Sequence, residues 1–317
     1  MKFALDDFYQ SSVNPQRYES KSSELKPPSP QSYYVFLCFF FELIKNGAIY
    51  ISGDTNNPKL LVDKASFTSC KSTSDGGSLF FSSTTGECVQ SKICSFGSNV
   101  NSLDTYGAYS KTIVSTNTGS KNYVEESTIS SAGNINNYGY GTIFFNSGDV
   151  IMKSNNISKN NIYNDAFYYV TNGNSNFNNS FSTFSNNTCT SSWSADHFGS
   201  DKYIYFCNIF HNKGTGGLIG SSSNTILYNC SFINNVMSGA YLHGSPMTCY
   251  NCYIDQQSFS SYRLTLINRI SSEFRNSLSH ISTGLCEADF PLIYSIDQVK
   301  SKEEIYINFH FMPFIIC

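Results

Sequence analysis

Charge is scarce in this chain. Only 14% of its 317 residues are Asp, Glu, Lys or Arg and the net charge is −3. No Lys/Arg cluster or stripe occurs, so the electrostatic footprint that nucleic acid or an anionic membrane would need is missing. Long apolar runs are scarce too. The stretch YYVFLCFFFELI at 33–44 is twelve residues interrupted by Glu42, whereas crossing a bilayer core takes about 20. It follows 32 mostly polar residues that include Pro27, Pro28 and Pro30, which is not the placement of a secretory signal. Neither a signal peptide nor a membrane span is therefore read from the sequence. Helical periodicity is lacking as well, since no segment between 47 and 262 sustains apolar residues at three- and four-residue intervals over ten positions. Low charge with heavy Ser, Asn and Gly usage would suit a disordered chain. The 26 Phe and 22 Tyr residues argue otherwise, because disordered segments are poor in aromatics.

What the chain has is a repeat. Anchoring on a recurrent Phe or Ile gives Phe40, Phe67, Phe96, Ile129, Ile157, Phe184, Ile209, Phe232 and Ile254, spaced by 27, 29, 33, 28, 27, 25, 23 and 22 residues. That is the period of a stacked architecture, with one elongated body in place of two globular domains. Five residues before the anchor stand mostly apolar residues: Val35, Val62, Ser91, Val124, Met152, Asn179, Ile204, Leu227 and Cys249. Two before it stand compact ones, Cys38, Ala65, Cys94, Ser127, Asn155, Ser182, Cys207, Cys230 and Cys252, as a narrow interior requires. Three after it Asn dominates, at Asn99, Asn160, Asn187, Asn212 and Asn235, where a turn must follow. A second marker is a glycine opening a β-prone run: GAIYI at 47, GSLFF at 77, GAYS at 107, GTIFF at 141, GLIGS at 217 and GAYLHG at 239. Each repeat thus holds at least two short strands separated by Gly, Asn and Ser turns. Such units wind most economically into a parallel β-helix, in which equivalent residues stack about 4.8 Å apart.

CSFINNV, CNIFHNK and NISKNN after an upstream aliphatic residue, alternating with GAIY-like starts, resemble the right-handed parallel β-helix repeats of the pectate-lyase-like superfamily. Within it they are most similar to the short repeats of polymorphic outer-membrane proteins and of large protist surface proteins. The resemblance covers Tyr33 to Tyr262, about 70% of the chain. It implies an all-β fold, a right-handed parallel β-helix of about nine to ten rungs, and a cell-surface or secreted location. Fold does not fix activity, since the superfamily holds lyases, hydrolases, adhesins and passengers of secretion systems. Around the helix at 33–262, residues 1–32 are expected to be a polar tail or N-terminal cap. Residues 263–317 are expected to hold a degenerate tenth rung anchored on Ile281 and strands, RLTLINRI and EIYINFHF, that cover the open end.

The chemistry-bearing residues are sparse. Of eleven cysteines, Cys207, Cys230 and Cys252 occupy one position in successive rungs and read as a ladder of buried thiols. Zinc on Cys249, Cys252 and Cys230 would leave a lone CxxC with no second pair. A disulfide between stacked neighbours, or between Cys88 and Cys94, is the other reading. The acids within the repeats, among them Asp63, Glu125, Asp165 and Asp196, do not share a column, and no Asp-Asp pair or Gly-His-Gly lies on the helix body. Asp196, His197 and His211 fall in neighbouring rungs. No catalytic residue, metal or cofactor is assigned. The outward column four before the anchor runs Asp63, Lys92, Glu125, Lys153, Ser180, Tyr205, Tyr228, Tyr250. Alternating charge gives way to three tyrosines, a candidate strip for a glycan or protein ligand. Sequons at Asn156, Asn178, Asn186 and Asn229 are candidate glycosylation acceptors. The expected function is a non-catalytic surface or adhesion-type module presenting a repetitive binding face. The alternative is a carbohydrate-active lyase or glycoside hydrolase of the β-helix type.

Overall fold

The computed structural model describes residues 7–9, 15–19, 23–26, 31–255 apart from 55, 103, 135, 137–138, 174–176, 192 and 200, and then 264–283, 286 and 288. These residues wind into a parallel β-solenoid. Three long sheets of eleven, nine and eight strands run its length, each strand paired in parallel with its counterpart one coil away. A coil enters the first sheet, as at Lys59–Asp63, and bends into a three-residue strand of the second, as at Ser66–Thr68. It returns through the third, as at Leu79–Ser82. The glycine-led runs build that third sheet. About 7 full turns result, fewer than the nine to ten rungs the spacing suggests. The second sheet keeps one strand per anchor, but the last coil, from Met247, has no third-sheet strand among the described residues.

Phe40, Phe67, Ile129, Ile157, Phe184, Ile209, Phe232 and Ile254 are all at most 2% exposed and pair in register along the second sheet. The Phe40 and Phe67 rings stack at 5.0 Å. The third coil departs from the sequence alignment by one residue. Ser95, not Phe96, pairs with both Phe67 and Ile129, and Phe96 points outward. Because side chains alternate with period two, the slip turns the whole strand over. Ile93 takes the interior place assigned to Cys94, and Gln90 that of Ser91. Ser98 takes that of Asn99, and the outward column four before the anchor holds Ser91 in place of Lys92. The interior accepts Ser95 because its hydroxyl lies 2.7 Å from Ser98 Oγ, which in turn lies 2.6 Å from Ser78 Oγ.

Two left-handed residues bracket the second-sheet strand in coil after coil. Before it stand Leu37, Lys64, Lys92, Glu126, Ser154, Phe181, Phe206, Asn229 and Asn251; after it stand Glu42, Ser69, Gly97, Ser131, Lys159, Asn186, His211 and Asn234, all at φ between 48 and 69°. Left-handed backbone costs roughly 1–2 kcal/mol for a non-glycine residue, so inter-coil bonds must offset it. The residue following each bend turns its N–H along the solenoid axis, where no strand partner waits. A side chain one coil on accepts it. After the second bend, Asn160, Asn187 and Asn212 donate their backbone N–H to Oδ1 of Asn187, Asn212 and Asn235 at 3.0, 3.0 and 3.1 Å. The amides return bonds to the preceding coil: Nδ2 of Asn187, Asn212 and Asn235 donates to the carbonyls of Ile157, Phe184 and Ile209 at 2.8–3.0 Å. After the first bend the same arrangement uses shorter groups. Ile93 N–H donates to Ser127 Oγ, Ser127 N–H to Asn155 Oδ1, Asn155 N–H to Ser182 Oγ and Cys230 N–H to Cys252 Sγ. The Ser, Asn and Cys acceptors named in the two columns thus satisfy bend amides, whereas Ala65 and Ala132 offer none.

Added segments cover two outer faces. Gln16–Glu19 pairs with Tyr33–Phe36 as an extra first-sheet strand. Tyr9 packs on the outer side of that sheet against Tyr34, Leu61 and Val89, with its hydroxyl donating to the Leu60 carbonyl. At the other end Leu264–Ile267 extends the first sheet beyond Met247–Tyr250. From there the described residues 268–283 and 286 run back along the outside of the second sheet as a strap. Arg275 lies 4.4 Å from the Phe210 ring, and Asn276 N–H donates to Asn208 Oδ1. His280 reaches Thr183 and the Ser154 carbonyl, and a Cys94–Cys286 disulfide holds the far end. Ile281 anchors no rung; its carbonyl accepts a bond from Thr128 Oγ1 on the outer surface. EIYINFHF lies outside the described residues.

Candidate functional site: an uncovered aromatic face

With Tyr9 over the early part of the first sheet and the strap over the second, no other described segment covers the first sheet in its last coils, where the tyrosine column lies. Tyr205 pairs with Tyr228 and Tyr228 with Tyr250. Their rings form an offset stack at 5.4 and 4.5 Å, with planes within 15°. Tyr203, two residues before Tyr205 on the same outward face, lies parallel to it at 6.1 Å. At the adjoining bend Phe181 and Phe206, 40% and 37% exposed, stack at 5.2 Å. Stacking turns part of each ring face onto its neighbour, so ring edges and hydroxyls face solvent. Partial burial raises the Tyr205 pKa, with Tyr203 and Tyr228 adding to it. Below the row stand Ser180 and Asn178, paired with Tyr205 and Tyr203, so the aromatic patch begins at a step.

No family model, curated protein or solved structure matches this chain. Its site must be judged from its own geometry.

The other sequence candidates separate. Asn186 is exposed, Asn178 and Asn229 are half-buried, and Asn156 is fully buried, which withholds it from a transferase in the folded chain. Cys207, Cys230 and Cys252 are buried, unbridged and in ladder positions. Their Sγ atoms lie 3.8, 3.5 and 3.8 Å from the Asn179, Ile204 and Leu227 carbonyls. Cys88 is a free interior thiol, while Cys94, turned outward by the register slip, meets Cys286 and not Cys88. Among the described residues no three His, Cys, Asp or Glu converge in a way that could hold a metal ion. Asp196, His197 and His211 do not meet: consecutive strand residues face opposite ways, so Asp196 is outward and His197 interior, and His211 sits exposed at a bend.

Sequence reasoning missed two features. A second aromatic belt lines the outer face of the third sheet, where Tyr50 and Phe80 stack at 4.8 Å and Tyr106 lies 5.1 Å from Tyr140 and 4.6 Å from Phe144. The aromatic residue three places into several glycine-led runs was its signal. Inside, His197 and Lys202 are both fully buried, Nδ1 and Nζ make no hydrogen bond, Nζ lies 5.9 Å from the Phe177 ring, and His197 Nε2 lies 2.9 Å from the Tyr168 hydroxyl. Burial lowers the Lys202 pKa to about 8, and burial with Lys202 nearby pushes His197 well below its usual value. A buried cation that makes no hydrogen bond opposes folding at every pH below its folded pKa. Lys202→Met should therefore raise the unfolding free energy by about 1–3 kcal/mol at pH 7. The gain should shrink between pH 8 and about 10.4, the unfolded lysine value, as the wild-type ammonium is lost. Urea titrations of both proteins at the two pH limits measure it, and a destabilised variant would show that the ammonium is satisfied.

Proposed function

We propose that this chain is a non-catalytic surface or adhesion-type module whose first-sheet face, around Tyr203, Tyr205, Tyr228 and Tyr250, binds a glycan or protein ligand. The reading rests on the stacked tyrosine row in the uncovered stretch of that sheet. A row of phenol edges offers apolar contact and hydroxyls at nearly the spacing of the coils, which suits an extended ligand lying along the axis. Kinship with the pectate-lyase-like superfamily, and with surface proteins of the polymorphic outer-membrane type, belongs to the same proposal. A secreted or cell-surface destination is supported by the Cys94–Cys286 disulfide, because such bonds persist in oxidising compartments, and by the exposed sequon at Asn186.

Tyr228→Ala should lower the signal on a glycan array by up to about tenfold, the loss expected when a stacking contact of about 0.5–1.5 kcal/mol disappears. Circular dichroism should keep the wild-type β signature. An unchanged array signal removes the glycan form of the reading.

A further inference from the structure

The outward positions of the first sheet change character along the solenoid. In the early coils Tyr34, Leu61 and Val89 are covered by the chain's own Tyr9, and the column beside them carries Asp63, Glu125 and Lys153. Beyond Lys153 the charge stops. One outward column continues in register through Ser180, Tyr205, Tyr228, Tyr250 and Ile267, and its neighbour through Asn178, Tyr203, Ile226, Thr248 and Thr265. None of these positions is Asp, Glu, Lys or Arg. The left-handed bend alongside runs Phe181, Phe206, Asn229, Asn251 and Asn268. Bulk is unevenly placed about the coil of Tyr228. Tyr203, Phe206 and Phe181 stand one or two coils before it, whereas Thr248, Asn251 and Asn268 stand at the matching distances after it. In the remaining column the order is reversed, with small Ser180 before and Ile267 after.

We infer that this face pairs with the same face of a second copy of the chain, about a two-fold axis parallel to the strands and passing by Tyr228. The inference rests on the tyrosine face being a binding surface and names its partner. Such an axis keeps position along a strand and exchanges coils before Tyr228 with coils after it. Tyr203 then meets Thr248, Phe206 meets Asn251, Phe181 meets Asn268 and Ile267 enters the step at Ser180, so that bulky side chains oppose small ones. A two-fold axis along the solenoid would instead set Ser180 against Asn178 and Tyr205 against Tyr203, a gap beside a collision. The strands of both copies stay aligned, as face-to-face sheets prefer. No charge lies at the axis to repel its copy, and Asp201, just before the Tyr203 strand, falls opposite Pro246. Because the tyrosine rings already cover one another's faces, they offer edges and hydroxyls, which suit interleaving with an identical row. Five strands about 4.8 Å apart and four to five residues of about 3.3 Å give roughly 350 Å² in projection on each copy. Two copies thus bury at most about 1,000 Å² of accessible surface, the range of weak and reversible association.

Sedimentation velocity of the full chain, over a series from about 5 to 500 µM, should show a monomer passing reversibly to a dimer and stopping there. Tyr228→Lys and Tyr228→Glu, each with wild-type circular dichroism, should each weaken the dimer at least about tenfold, since the axis sets the new charge against itself. An equimolar mixture of the two should recover it, which contact with any other part of the second copy would not produce. Should either variant fail to fold, Tyr205→Glu mixed with Tyr250→Lys makes the same test, because the axis exchanges those two positions. A chain that stays monomeric, oligomers that grow past the dimer, or a mixture that recovers nothing overturns the inference. A monomer whose glycan-array signal still falls with Tyr228→Ala would overturn it while leaving the face a binding surface with another occupant.

Discussion

Asn212→Ala is expected to lower the unfolding free energy by about 3–5 kcal/mol, the largest loss of any single side-chain truncation in the ladder. Asn212 Oδ1 accepts from both the backbone N–H and Nδ2 of Asn187, and its own Nδ2 donates to the Phe184 carbonyl and Asn235 Oδ1, all at 2.9–3.0 Å. Alanine leaves the Asn187 amide and the Phe184 carbonyl buried without their partner, each costing about 1–3 kcal/mol. No relaxation can bring water to an interior position with no exposed surface. Asn161→Ala, on an exposed residue two coils before, should stay within about 0.5 kcal/mol. Asn212→Cys should fall between the two, because Cys70 already occupies the equivalent place with Sγ 3.6 Å from the Phe40 carbonyl. Chemical denaturation of the three variants measures the order; an Asn212→Ala loss below about 1 kcal/mol would mean that the bend amides are satisfied in another way.

The second large effect concerns the strap. Reducing Cys94–Cys286, or replacing Cys286 by Ser, opens a link across 192 residues of sequence. Loop entropy puts the destabilisation at up to about 5 kcal/mol, and native disulfides commonly give 2–5. The strap makes side-chain bonds and few strand-like backbone bonds, so its release should precede unfolding of the coils. Trypsin should then cut after Arg275 faster in the reduced chain, while the fragment through Tyr250 persists. Identical digestion of oxidised and reduced protein would show that the side-chain contacts of Arg275, Asn276 and His280 hold the strap by themselves. The same cleavage would expose Phe210 and Ile233, which are buried outside the barrel of the solenoid, and dye binding to apolar surface should rise with it.

The stacked coils were legible because the interior repeats one chemical type per position, and a period of 22 to 33 residues survives in the spelling. The third coil was misaligned because Cys94 and Phe96 imitate the pattern one residue out of step, and only packing distinguishes a slipped strand. The bends were hidden since residues as unlike as Leu37, Glu126 and Phe206 adopt the same left-handed conformation; what they share is the bond each one's own N–H makes to a strand carbonyl one coil on. The strap has no period at all. The coil residues that Arg275, Asn276, His280 and Cys286 meet are 47 to 192 positions away, and no local signal carries such a distance. The tyrosine row could be read from a single column.

Because the bends from Ala132 to Asn212 borrow a side-chain acceptor from the coil above, the stack has a direction there, and its last member must borrow from something else. Removing one entire repeat, for instance from Ser182 through Phe206, joins an upper neighbour to a lower one with compatible bends and should yield a shorter but still soluble protein. Removing half of one would set donors against carbonyls along the remaining length. Evolutionary change in such a chain is quantised: length varies by whole windings, and the side chains that line a bend decide where a winding can be lost.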